Sequence, residues 1–312
     1  MFLKNTIKLT FVNSSNIWKI LLYRILCILC VLGLTTVIAW PIINVLIKDN
    51  FFVNLQKSFE DMLFNLNFEK LFLTVDKVFK NLAEIISNHG YAVQAVLVAV
   101  FDVILISFLE EYASLAVHQS VGGYMSSLTR YSFTNGYVSN FGKATFLALL
   151  RTATTLVINI VLWVGMYFLA STLYAKIGVI AIVITFMLAL LLVSVKHTVF
   201  CGWEPAYLIH DETVLASLKM AVSVVCKKFF KVLSSFVILL LAVFILNIFA
   251  LTFTAGVGLL VTLPLTTLML IILDEVVYRE LLGMRYYVDS EHIVTPKKLE
   301  QQDSFSKVKD II

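Results

Sequence analysis

Charge is what this sequence has least of. Only 14 % of its 312 residues are charged, against 60 % hydrophobic, where a soluble domain carries roughly 25 % charged residues to cover its surface. That shortage excludes an ordinary soluble domain, and a mean hydropathy of +0.93 agrees. Cysteine is also scarce. Four residues supply no disulfide framework, and Cys27 and Cys30, although spaced as CxxC, lie in an apolar run where packing explains them better than redox or metal chemistry. The net charge of +4 is too small to imply a nucleic-acid partner. Catalytic signatures are missing too. The sequence holds no HExxH, no glycine-rich phosphate loop and no GxSxG, and its five histidines are scattered without ligand spacing, so no metal site or cofactor is expected. No GxxxG marks a dimer face.

What the sequence does have is long apolar runs. A hydrocarbon core of ~30 Å needs ~20 helical residues. Six stretches qualify, at about 20–47, 91–117, 144–173, 178–200, 232–253 and 258–283. The first is too long for a signal-peptide core and has Trp18 and Trp40 near its ends, so it reads as a retained span. The expected fold is an all-α polytopic membrane bundle of about six spans, with a polar tail over 284–312.

Orientation follows from the basic residues. With the N-terminus inside, eighteen Lys and Arg residues fall on the cytoplasmic side and six on the other, five of those six in or beside one long loop. The positive-inside rule therefore predicts a plasma-membrane protein with both termini cytoplasmic. The long loop, 49–90, carries Leu71, Phe72, Val75, Val78, Phe79, Leu82, Ile85 and Ile86 at helical spacing, with Asp76, Lys77, Lys80, Asn81 and Glu84 opposite. Leu55, Phe59, Met62, Leu63 and Leu66 repeat the pattern upstream. An extracytoplasmic amphipathic helical pair joined near 65–67 is expected, either padding the interface or offering a docking surface. Inside, Asp211–Lys231 reads as a basic amphipathic helix capped by Asp211 or Thr213. Its stripe is Leu215, Leu218, Val222, Val225 and Phe229, and Lys219, Lys227, Lys228 and Lys231 would face anionic inner-leaflet lipid. Residues 137–200 and 213–283 echo each other as two hairpins around glycine turns, from duplication or from chance likeness.

Ionisable residues within spans are costly and hence candidate sites. Asp102 lies near the middle of the second span and could bind a proton or cation beside Asn159 or Asn247, or be hydrogen-bonded across the bundle. A second set, Glu110, Glu111, Arg151, Lys196, His197, Asp274, Glu275 and Arg279, gathers near the cytoplasmic ends. Opposite signs at one depth predict interhelical pairs such as Arg151 with Glu110 or Asp274, and Glu275 with Arg279 at i,i+4. Asp274-Glu275 followed by Arg279 matches the acidic pair and arginine of intramembrane CAAX-type proteases, but of that family's later histidines only His292 in the tail follows. Trp203-Glu204-Pro205-Ala206 is expected to end the fourth span and turn it along the membrane surface.

Those last residues, with the run Asp211–Lys231 and the hairpin after it, resemble a group of bacterial membrane proteins similar to the membrane domain of some glycerophosphoryl diester phosphodiesterases. The resemblance covers about 137–283. It implies no activity, since no phosphodiesterase domain is present. Two amphipathic surfaces without a catalytic constellation point to a non-enzymatic lipid- or partner-binding component of an envelope or transport assembly. The alternatives are a permease coupled through Asp102 and a lipid-processing enzyme using Glu110, Glu111 or Asp274.

Overall fold

The computed structural model describes residues 2–64, 68–129, 132–139, 141–254 and 256–295. Its helices are α1 (Phe2–Val12), α2 (Ser15–Ile38), α3 (Trp40–Lys48), α4 (Phe51–Phe64), α5 (Phe68–Asn88), α6 (Ala92–Ser127) and α7 (Phe133–Ser139). They continue as α8 (Phe141–Ile177), α9 (Ile180–Phe200), α10 (Trp203–His210), α11 (Val214–Cys226), α12 (Phe229–Phe253) and α13 (Leu259–Leu282). A hairpin of two short strands, β1 (Tyr286–Tyr287) and β2 (Ile293–Val294), follows. Among the described residues six helical segments are long and apolar enough to cross a membrane: α2, α6, α8, α9 with α10, α12 and α13. The protein is an all-α, multi-pass integral membrane protein.

The chain forms two compact units, one of residues up to Arg24 together with those from Phe108 onward, the other Ile25–Ser107. In the second, the apolar run expected as a single span over 20–47 is divided. The long helix stops at Ile38, and α3 restarts at Trp40 with Pro41 in its first turn, where proline's missing N–H costs nothing. The orphaned Ile38 carbonyl accepts a hydrogen bond from the Gln94 amide at 3.0 Å. Ile42, Leu46 and Phe51 form a small core with Leu55, Val78, Leu82, Ile85 and Ile86. The apolar stripe of α5 is thus turned onto α3 and α4 at these positions, while Phe79 is exposed. The side chains of Phe59, Met62, Leu63, Leu66, Leu71, Phe72 and Val75, and the joint at 65–67, lie outside the described residues.

The first unit holds the larger core, with Leu9, Val121, Met125, Phe236, Leu239, Leu268, Ile272, Val276 and Tyr286 packed together. Helix α1, not foreseen from the sequence, packs on α13 through Phe2, Asn5, Thr6, Leu9 and Thr10. The Asn5 amide donates to Tyr286 Oη at 2.8 Å and Glu280 Oε1 at 3.2 Å, and Tyr286 donates to Glu280 at 2.9 Å. Burial, with the Glu280 carboxylate beside it, pushes the Tyr286 phenol well above its usual range, so it donates as a neutral hydroxyl.

Helix length decides where burial begins. At 1.5 Å per residue the 36 residues of α6 extend about 54 Å, well past a hydrocarbon core of ~30 Å. Its first half exposes Val93, Val96, Leu97, Val100 and Val103, the apolar surface that lipid solvates. Burial starts at Tyr112 and runs to Met125. The buried residues of α13 likewise fall mainly in its second half, from Leu268 to Arg279.

Two expectations are corrected here. The fourth span does not turn along the membrane surface at Trp203-Glu204-Pro205. The chain passes through Cys201 and Gly202 in helical conformation into α10, and Trp203, Glu204, Pro205, Ala206 and Tyr207 are all buried. Gly202 permits this. A Cβ there would sit 2.8 Å from Tyr278 Cδ2 and 3.0 Å from the Ala221 Cβ, so only glycine lets α10 enter against α13 and α11. Trp203 donates its indole N–H to the Val214 carbonyl at 2.9 Å. The second correction concerns one side of the α11 stripe: Val225 is buried and Leu218 and Phe229 pack against the core as expected, but Leu215 does not. Val214, Ser217, Ala221, Val224 and Val225 are buried, whereas Leu215 is exposed. The hidden face is the small-residue one because it meets protein on α10 and α13. Thr213 caps the helix, and Asp211 instead closes α10 in a left-handed conformation (φ 51°).

Candidate functional site

The buried half of α6 presents Glu111, Ser114, His118, Gly122 and Ser126 at intervals of three or four residues, one polar stripe down one face. Helices α8, α10 and α13 bring Arg151, Glu204, Glu275 and Arg279 against it. His118 is the hub, fully buried. Its Nε2 lies 2.6 Å from Glu204 Oε2 and its Nδ1 lies 3.0 Å from Glu275 Oε1. Glu204, 2 % exposed, also pairs with Arg151 Nη1 at 2.5 Å and accepts from Ser114 Oγ at 2.9 Å. Arg151 pairs in addition with Glu111 at 3.1 Å. At the other side of the hub, Arg279 Nε donates to Glu275 Oε2 at 3.2 Å, Nη1 to Ser126 Oγ at 3.0 Å and Nη2 to the Gly122 carbonyl at 3.2 Å. The result is an unbroken chain of charges, Glu111–Arg151–Glu204–His118–Glu275–Arg279, inside an apolar protein.

Such a chain is stable only while every member keeps its partner, because an unmatched buried charge is far costlier than the pair is favourable. Both ring nitrogens of His118 face carboxylate oxygens, which only accept. The trio therefore holds the protons needed for donation on both sides. Two carboxylate oxygens are left over among the described residues: Glu204 Oε1 and Asp274 Oδ1 are buried without a hydrogen-bond partner.

The chain of charges is reachable. A cavity of about 440 Å³ is lined at its buried end by His118, Glu275 and Arg279, and at its open end by the exposed Ser126, Lys143 and Asp211. Lys143, on the first turn of α8, and Asp211, past the end of α10, form an ion pair across that mouth, and both are exposed. The C-terminal ends of α6, α10 and α13 and the N-terminal end of α8 all contribute, so the cavity opens where these helices end.

Of the residues singled out from the sequence, Glu111, Arg151, Glu275 and Arg279 belong to this chain of charges, and Asp274 is buried beside it on α13. The expected i,i+4 pair of Glu275 with Arg279 is present. Arg151 takes neither Glu110 nor Asp274 as its ion-pair partner. It pairs with Glu111 and Glu204, while Glu110 pairs with Arg24 at 3.3 Å. Lys196 donates to Asn159 at 2.9 Å, His197 stacks on Phe236, and Asn247 donates to Thr266 at 3.3 Å. In the unit formed by Ile25–Ser107, Asp102 accepts from Thr35 Oγ1 at 2.6 Å. Asp102, Asn159 and Asn247 thus each have a partner of their own. Lys219, Lys227 and Lys228 are exposed on or beside α11, and Lys231 Nζ sits 4.8 Å from the centre of the Phe2 ring.

His118 and Glu204 escaped the sequence reading. His118, one of the scattered histidines, lies just past the expected end of the second span at 117, whereas α6 runs on to Ser127. Glu204 was absorbed into an interfacial Trp-Pro motif. The readable signal was the stripe 111, 114, 118, 122, 126. The chain matches no family model, no curated protein and no solved structure, so function is argued from this geometry.

Proposed function

We propose that this protein is a non-catalytic plasma-membrane component that holds the polar head of an amphiphile, with both termini in the cytoplasm. One observation carries this reading: a polar cavity of about 440 Å³ reaches from helix ends into a buried chain of charges, while α8 and α13, which border it, expose apolar side chains along their other halves. A polar-headed lipid suits both environments, its head in the cavity and its tails against the apolar surface. Of the acids a lipid-processing enzyme would use, Glu110 and Glu111 are each engaged by an arginine, and Asp274 is buried. The exposed Lys219, Lys227 and Lys228, on or beside α11, add attraction to anionic lipid. The reading is tested by gentle extraction in native lipid and mass spectrometry of everything that co-purifies. Wild type is expected to retain a lipid or polar molecule that Arg279→Gln loses, while Asp102→Asn, remote in role, keeps it. Turnover of a lipid by the purified protein alone would contradict it.

A second reading, a proton- or cation-coupled permease, draws on His118, whose two carboxylate contacts at the cavity wall have the form of a proton relay. Reconstituted vesicles separate the two readings. A coupled permease moves solute under a pH gradient and stops with His118→Gln or Asp102→Asn, whereas a binding component moves none.

A further inference from the structure

The cavity contains two acid–base pairs of different character. At its buried end Arg279 and Glu275 are 6 % and 1 % exposed in their side chains, and at its mouth Lys143 and Asp211 are 53 % and 77 % exposed. The buried pair is fixed, because separating it would strand a charge. The mouth pair is exchangeable, because an exposed ion pair is held weakly. Three of the five N–H groups of Arg279 are directed to Glu275, Ser126 and Gly122, which leaves two more donors on a side chain that lines the cavity.

From this arrangement we infer that the cavity selects a zwitterionic ligand, one bearing both an ammonium and a phosphate or carboxylate group. The inference rests on the head-group-binding reading above and deepens it. The ligand's ammonium replaces Lys143 on Asp211, and its anionic oxygens take the released Lys143 Nζ and the two remaining N–H groups of Arg279. Every charge then stays matched. A ligand with a single negative charge would draw Lys143 away and leave Asp211 without a partner, and a single positive charge would strand Lys143. The cavity is thereby expected to favour net-neutral heads such as phosphoethanolamine over phosphoglycerol. That chemistry occurs both as a lipid head group and as a free solute, so the test has an arm for each.

Purified full-length protein in an uncharged detergent is given equal amounts of phosphatidylethanolamine and phosphatidylglycerol and examined by native mass spectrometry, with glycerophosphoethanolamine titrated calorimetrically in parallel. The expected result is a preference of roughly three- to five-fold for the amino lipid, the size of one exposed ion pair. Asp211→Asn, a residue type that tolerates the left-handed backbone at that position, should abolish the preference, and Lys143→Gln should do so from the other side of the pair. Each variant is compared only where its melting temperature matches wild type. Equal retention of the two lipids would overturn the charge-matching inference while leaving a lipid-binding cavity intact. Binding of glycerophosphoethanolamine without either lipid would uphold the zwitterion and overturn the lipid reading. No binding in any arm would overturn both.

Discussion

Replacing Glu204 with glutamine gives the sharpest test of the buried charges. The amide keeps the shape of the side chain and an oxygen for Ser114, which donates at 2.9 Å, but it deletes the negative charge facing Arg151 at 2.5 Å and His118 at 2.6 Å. Removing one member of a buried ion pair costs about 3–5 kcal/mol. Arg151 retains Glu111 at 3.1 Å and His118 retains Glu275 at 3.0 Å, so the lower end of that range applies. In a unit of this size each kcal/mol moves the melting temperature by about 2–4 °C, and a fall of roughly 6–12 °C is expected for Glu204→Gln, read by circular dichroism in mild detergent. The double variant Glu204→Gln/Arg151→Gln should be less destabilised than the sum of its singles by about 1 kcal/mol or more, because the second change removes the charge the first one strands. A melting temperature within about 2 °C of wild type for Glu204→Gln, worth less than about 1 kcal/mol, would refute the idea that this chain of charges holds the helix ends together.

Further expectations follow from close packing and buried hydrogen bonds, each measured by the same thermal assay. Gly122→Ala places a Cβ 3.2 Å from Arg279 Nη2, so the guanidinium must give way slightly and its bond to the Gly122 carbonyl is strained, at a cost of up to about 1 kcal/mol. Gly202→Ala meets the Tyr278 ring at 2.8 Å and Ala221 at 3.0 Å, both held within packed helices, and should cost about 1–3 kcal/mol. Tyr286→Phe removes the hydroxyl that links Asn5 to Glu280 and should loosen α1 from α13 by about 1–2 kcal/mol, seen also as faster amide exchange in α1. Unchanged exchange there would show that α1 docks by its apolar residues alone.

The membrane architecture was legible because lipid solvation demands runs of apolar residues whatever the tertiary contacts are. The break at Ala39 was not, since Trp40 and Pro41 sit inside an unbroken apolar run and only the capping of the Ile38 carbonyl by Gln94 reveals that two helices meet there. The site was half legible. Glu111, Arg151, Glu275 and Arg279 stood out as charges in apolar context, but their pairing is a tertiary fact. His118 and Glu204 lie where hydropathy falls, and a hydropathy reading ends a span there even though the helix goes on. The apolar stripe of α11 misled for a related reason. Size and hydrophobicity select Leu215, whereas close approach to α10 and α13 selects Ser217 and Ala221.

What occupies the cavity in the native membrane is the most direct question that can be put to this account. A photo-crosslinking amino acid at Ser127, an exposed residue on the cavity wall, irradiated in intact membranes and followed by mass spectrometry of the labelled protein, answers it. A second probe at Val157, an exposed apolar position on α8, reports contact with bulk lipid. Ser127 is expected to capture a zwitterionic amino-phospholipid selectively while Val157 captures lipids in proportion to their abundance. Adducts at Val157 with none at Ser127, or the same unselected mixture at both, would contradict it.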